Sequence, residues 1–219
     1  MSVKPEFQSD IHEFETRDVG YRKALRATRM VESIRLGLTT LALLAGLTIV
    51  GTSAETLAVY NKTHLGQDFL LPLWPSDFDI RPTIALVTCG SIIFLASAVS
   101  LIASKVQAVR NSPLIHNSFS ILASLICFIA GLIGMSFFYG VNASSTVFSL
   151  QAWTCQWSAI SMTTAPHWGR LCKESKVALY LTVMIVPLEV LVLGATAWAV
   201  FVEKKLFVVR ERKGSPALS

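Results

Sequence analysis

Four stretches of this chain carry no charge, or only one, and are apolar on every side. They are Leu36–Ala54, Ile84–Ser104, Ser118–Tyr139 and Val177–Val202, the last interrupted by Glu189 alone. A helix rising about 1.5 Å per residue needs roughly 20 apolar residues to cross a hydrocarbon core of about 30 Å. Spanning strands would require a closed barrel with two-residue alternation, and these runs show none. The pattern predicts an all-α fold, an integral membrane four-helix bundle with spans at about 36–54, 84–104, 118–139 and 177–202. The remainder divides into a tail (1–35), connections at 55–83, 105–117 and 140–176, and a second tail (203–219). Composition agrees. The chain is 53% hydrophobic and only 15% charged, with a mean hydropathy of +0.55, against about 25% charged residues in an ordinary soluble domain.

Charge then orients the bundle. Of nineteen Lys and Arg residues, fourteen fall in the two tails and the 105–117 connection. Positive charge stays on the cytosolic side, so both termini are expected there, with 55–83 and 140–176 as outer loops. The first 35 residues are polar, with no short apolar core or cleavage site. No removable signal peptide is expected, and the first span would serve as the targeting signal to the plasma membrane or secretory-pathway membranes. Topology explains the basic balance without any nucleic-acid partner. In "YRKALRATRMVESIR", Arg22, Arg26 and Arg29 share one helical face. That face suits anionic inner-leaflet lipids, and the same charges also serve simply to set topology. The sequons at Asn61 and Asn142 both fall in expected outer loops, which makes them candidate glycosylation sites, Asn61 the better placed.

The second outer loop concentrates the candidate chemistry, in "QAWTCQWSAISMTTAPHWGRLC". Cys155 and Cys172 are a pair in one loop on the oxidising side, which most simply forms a disulfide. Closing a loop of this size is worth about 3 kcal/mol in the chain-entropy model. A metal site adding His167 is the alternative, but the spacing matches no standard zinc pattern. Trp153, Trp157 and Trp168 surround the pair. Three such rings either form a small core or interfacial anchor, or present a binding patch. Loop one, also apolar and punctuated by proline, is able to pack over loop two as a lid. Neither loop arranges a nucleophile, base and oxyanion donors, so no catalytic residue, cofactor site or metal site is assigned.

Glu189 stands at the midpoint of the fourth span, where an acidic side chain costs on the order of 3 kcal/mol by insertion scales. Thr182 and Thr196 flank it at intervals of seven, so the three form a polar stripe that drifts only about 20° per step. The bundle interior is the natural place for that face. Hydroxyls elsewhere offer partners: Thr39, Thr40 and Thr48; Thr88, Ser91, Ser97 and Ser100; Ser120 and Ser124. No span carries a basic residue inside its apolar run, so the first expectation is a neutral, hydrogen-bonded Glu189. A proton- or cation-linked site and an oligomer contact are the alternatives. Pro187, close by, is expected to perturb the same helix. Small residues recur at helical spacing, at Ala42 and Gly46, at Ala96, Ser100 and Ser104, and at Ala123, Cys127, Gly131 and Gly134. They allow close helix packing within one chain or in a homo-oligomer.

"QAWTCQW", "LCKESKVALYL" and "VPLEVLVLG" resemble the end of an uncharacterised four-span membrane-protein family of filamentous fungi, over roughly residues 150–195. In topology the chain is similar to MARVEL-type four-span proteins, with cytosolic tails and a cysteine pair in the second outer loop. It departs from claudin-like proteins, whose Trp and Cys signature lies in the first outer loop, and it lacks the Cys-Cys-Gly of tetraspanins. The resemblance implies topology and no activity. The expected function is therefore a non-enzymatic membrane-organising or adaptor protein that meets membrane-protein partners through its outer loops. The alternative is an oligomeric transporter or channel subunit built on Glu189.

Overall fold

The computed structural model describes residues 5–64, 74–75, 78–106, 113–143, 148–160, 162–163 and 166–214. Side chains are described from Arg26 onward, and not at 113–117, 142, 203 or 205–214. Among these residues the regular structure is helical apart from one short strand pair. Helix α1 is Pro5–Thr63, α2 Arg81–Lys105, α3 Pro113–Asn142, α4 Leu150–Gln156 and α5 Trp168–Gly214. Four of them contain segments long and apolar enough to cross a membrane, Arg26–Thr63, Arg81–Lys105, Ser118–Val141 and Trp168–Val202. This is the pattern of a multi-pass membrane protein.

The helices outrun the apolar runs. α1 continues past 54 to Thr63, so the start of the expected first loop is helical; no glycine or proline occurs between Gly51 and Gly66 to stop it. α5 begins at Trp168, just after Pro166, well before the apolar run opens at Val177. Charge bounds a membrane span, whereas helix ends answer to backbone breakers and caps. α5 also runs through Pro187 as continuous helix, with the proline on its exposed side.

Residues 38–193 form one compact unit. Within it the helices meet through small residues. A Cβ built on Gly46 would lie 2.9 Å from the backbone nitrogen of Phe94, and one on Gly90 would lie 2.8 Å from Ile49 Cγ2. Those two glycines therefore let α1 and α2 touch backbone to side chain. Gly131 faces Ile185 and Val186, and Gly134 faces both Thr182 and Cys89. So α3 is held against α5 on one side and α2 on the other. The core between them is Ile49, Leu86, Cys89, Ile93, Cys127, Ala130, Phe138, Ala178, Leu179 and Ile185. Large apolar side chains such as Leu95, Leu122, Met184 and Leu191 stay more than half exposed, which suits helices whose outer surface meets lipid rather than water.

The two connections that lead out of α1 and α3 join at one end of this unit. β1, Phe78–Asp79, pairs in parallel with β2, Phe148–Ser149, with Phe78 opposite Phe148. Asp79 Oδ1 accepts a hydrogen bond from Arg81 N at 2.8 Å, and proline occupies the first turn of α2, where its missing N–H costs nothing. Ser149 caps α4 by accepting from Ala152 N at 3.1 Å. A disulfide between Cys155 and Cys172 then ties α4 to α5, with Cα atoms 4.7 Å apart.

The ends of the chain, 1–37 and 194–219, cluster as a second unit. There Arg35 is buried and pairs with Glu32 at 2.7 Å, one helical turn away.

Candidate functional site

Buried positions on α5 advance by alternating steps of three and four. Trp168, Leu171, Ser175, Ala178, Thr182, Ile185, Glu189 and Val192 all lie inside. Such a seam follows from a repeat close to 3.5 residues, which keeps one face on its neighbours over a long helix. The polar stripe read from the sequence is that seam. Thr182, Glu189 and Thr196 are each no more than 3% exposed. Thr182 satisfies its own hydroxyl by donating to Ala178 O at 2.8 Å.

Glu189 finds its partner on α3. Ser124 Oγ donates to Glu189 Oε2, and the same hydroxyl lies 3.4 Å from the Glu189 carbonyl. Thr39, Ser97, Ser100 and Ser120 line a small cavity with Ser124 and Glu189, and it has room for about one water molecule. These are five of the nine hydroxyls that the sequence offers. Three others turn away: Thr48 donates to Leu44 O, Thr88 to Ile84 O and Ser91 to Val87 O, each one turn back on its own helix. That local bond is the usual resort of a hydroxyl with no neighbour to reach. A carboxylate so placed is able to hold a proton, or to share the cavity with a small cation. Among the described residues no three or more His, Cys, Asp and Glu side chains gather as a metal site.

The tryptophans of the second loop divide between core and surface. Trp168 is buried at the head of α5, in edge contact with Trp74 at 5.1 Å between ring centroids. Trp74 in turn meets Tyr60 and Phe78, and those two rings stack at 5.0 Å. Leu150 and Leu171 complete this second core. Trp74 Nε1 donates to Thr63 Oγ1 at 3.1 Å, so the ring is also satisfied at its polar edge. Trp153 bridges outward. It lies edge-on to Phe148 and to Trp157. Trp157 is 38% exposed, Phe148 40% and Ile160 48%. An ion pair reinforces the same end, where Arg170 reaches Glu55 at 2.6 Å and Glu174 at 2.7 Å. Loop one thus does lie over loop two where both are described.

Sequence reasoning passed over Tyr60 and Trp74 as members of this cluster. The available signal was the isolation of Trp74 among prolines, since a large ring in a loop needs cover. Asn61 lies exposed in the last turn of α1, so that sequon is displayed on a helix rather than a loop. Asn142 ends α3, and its side chain lies outside the described residues, as do those of Arg22 and most of both tails. Arg26 and Arg29 are exposed on α1. Asp68 and Asp77 of loop one lie outside the described residues. Compared with protein-family models, with curated proteins and with solved structures, the chain finds no match.

Proposed function

We propose that this chain is a non-enzymatic four-span membrane protein that organises or adapts other membrane proteins, recognising them through the cap formed by its two outer loops. The observation that supports the reading most is the construction of that cap. Strand pairing, a disulfide and a buried aromatic core tie its described parts together, yet Phe148, Trp157 and Ile160 remain on its surface. A preorganised surface with an exposed tryptophan loses little entropy on binding and supplies the kind of residue that dominates interfaces. Both tails are read as cytosolic, where their basic residues meet anionic lipid headgroups.

A second reading makes the chain an oligomeric transporter or channel subunit in which Glu189 is the proton- or cation-linked group. Its support is the Ser124–Glu189 bond in a hydroxyl-lined cavity. Against it stands the packing of the interior. Ile49, Cys89, Ile93, Ala130 and Ile185 belong to one buried apolar cluster of the bundle, which offers an ion no ligands. The adaptor reading uses the buried carboxylate only as a packing and register element, held by Ser124.

The deciding experiment compares two variants in native membranes and in reconstituted vesicles. Trp157→Ala is expected to reduce cross-linked partner recovery at least tenfold, with the Cys155–Cys172 disulfide and membrane delivery unchanged. Recovery equal to wild type, together with a proton or cation flux that Glu189→Gln abolishes, would overturn the adaptor reading in favour of transport.

A further inference from the structure

Beneath the cap lies a second small cavity, distinct from the one at Glu189. Ser53 and Thr56 of α1, Thr83 of α2, Gln151 of α4 and Ser175 of α5 line it, over a floor that includes Leu86 and Phe138. It has room for about one water molecule. Two of its oxygens are unsatisfied. Ser53, 2% exposed, has no hydrogen-bond partner for Oγ among the described residues, and neither has the buried Oε1 of Gln151. Two neighbouring hydroxyls have already committed their protons. Thr56 Oγ1 donates to Thr52 O at 2.7 Å and Ser175 Oγ to Leu171 O at 2.8 Å. Thr56 Oγ1, Ser175 Oγ and Gln151 Oε1 therefore present acceptor lone pairs around the cavity, with Ser53 O–H as a donor in need of a partner.

We propose that this cavity binds one ordered water molecule, which accepts from Ser53 Oγ–H and donates to Gln151 Oε1 and to a lone pair of Thr56 or Ser175. A single water supplies the acceptor that Ser53 lacks and the donor that Gln151 Oε1 lacks, and two to four polar partners are what a buried water needs. A monovalent cation is the competing occupant. The lining residues are all neutral, so a cation here would forfeit its hydration with no charge to offset the loss. The water joins α4 of the cap to α1, and is a structural part of the seam between cap and bundle.

The site is tested on the full chain in lipid nanodiscs. In wild type, with glutamine labelled by nitrogen-15, the Gln151 side-chain amide is expected to show magnetisation transfer from a water with a long residence time. Ser53→Ala and Gln151→Met should each lower the melting temperature by a few degrees. The double variant should lose less than the sum, because both residues act through one molecule. A dry cavity gives the opposite sign, since Ser53→Ala then deletes an unsatisfied hydroxyl and raises the melting temperature. That result, or absence of the water transfer in wild type, overturns the proposal. So does a melting temperature that rises with sodium or potassium chloride but not with choline chloride, which would assign the cavity to a cation.

Discussion

The carboxyl group of Glu189 is buried in the bundle, and one serine hydroxyl from α3 answers it. Removing that hydroxyl should hurt more than neutralising the acid. Ser124→Ala leaves a buried oxygen without its donor and is expected to cost about 1–3 kcal/mol. Glu189→Gln keeps an acceptor oxygen in place and should cost less than about 1 kcal/mol. Denaturant titration in mixed micelles, read by tryptophan fluorescence, checks the order; a larger loss for the glutamine variant would mean the ionised acid matters. The inward position of Glu189 was legible in the sequence, because Thr182 and Thr196 mark its face at intervals of seven. Its partner was not. Nine hydroxyls were on offer, and which one meets the acid depends on how far each helix slides along its neighbour.

That sliding is set at the level of whole helices by glycines. Gly46 and Gly90 fix the crossing of α1 and α2, and a side chain at Gly46 would run into backbone at Phe94, which has no rotamer to yield. Gly46→Ala is therefore expected to destabilise by about 1–3 kcal/mol, whereas Gly51→Ala, with nothing within 4 Å of the added carbon, should be neutral or stabilising by up to about 1 kcal/mol. The same unfolding assay compares the two. Spacing alone announced Ala42 and Gly46 as a packing pair, but could not say whether the second helix came from the same chain. The structure seats Gly46 on α2 of its own bundle. The disulfide was legible from compartment logic, and the strand pair was not, since β1 and β2 are two residues each and show no alternation to read. Cys155→Ser should release α4 from α5 and lower stability by about 2–4 kcal/mol, read as a drop in melting temperature. A free thiol at Cys172 should then react with maleimide.

For the molecule as a whole, the apolar runs sufficed to number the spans, and the Lys and Arg asymmetry supplies the orientation proposed for them. The cap lay beyond such reasoning, because it is made by segments far apart in sequence: Tyr60, Trp74 and Phe78 from one side, Leu150 and Trp168 from the other. Orientation is open to a direct check. With the cap outside the cytosol, Asn61 is displayed for glycosylation, and glycosidase treatment should increase electrophoretic mobility in wild type but not in Asn61→Gln. Unchanged mobility of wild type, combined with protease access to the tails from outside, would invert the assignment.

The pairing of Phe78 with Phe148 has a consequence for biosynthesis. A ribosome completes the segment carrying Tyr60, Trp74 and Phe78 long before it reaches Trp168 and Cys172, so the early aromatic rings have only one another for cover until then. The cap lacks its second half until α5 has been made, because Trp168, Leu171 and Cys172 all belong to that helix. Truncation before α5 should leave Trp74 without its Trp168 neighbour and shift its fluorescence toward that of a ring in water.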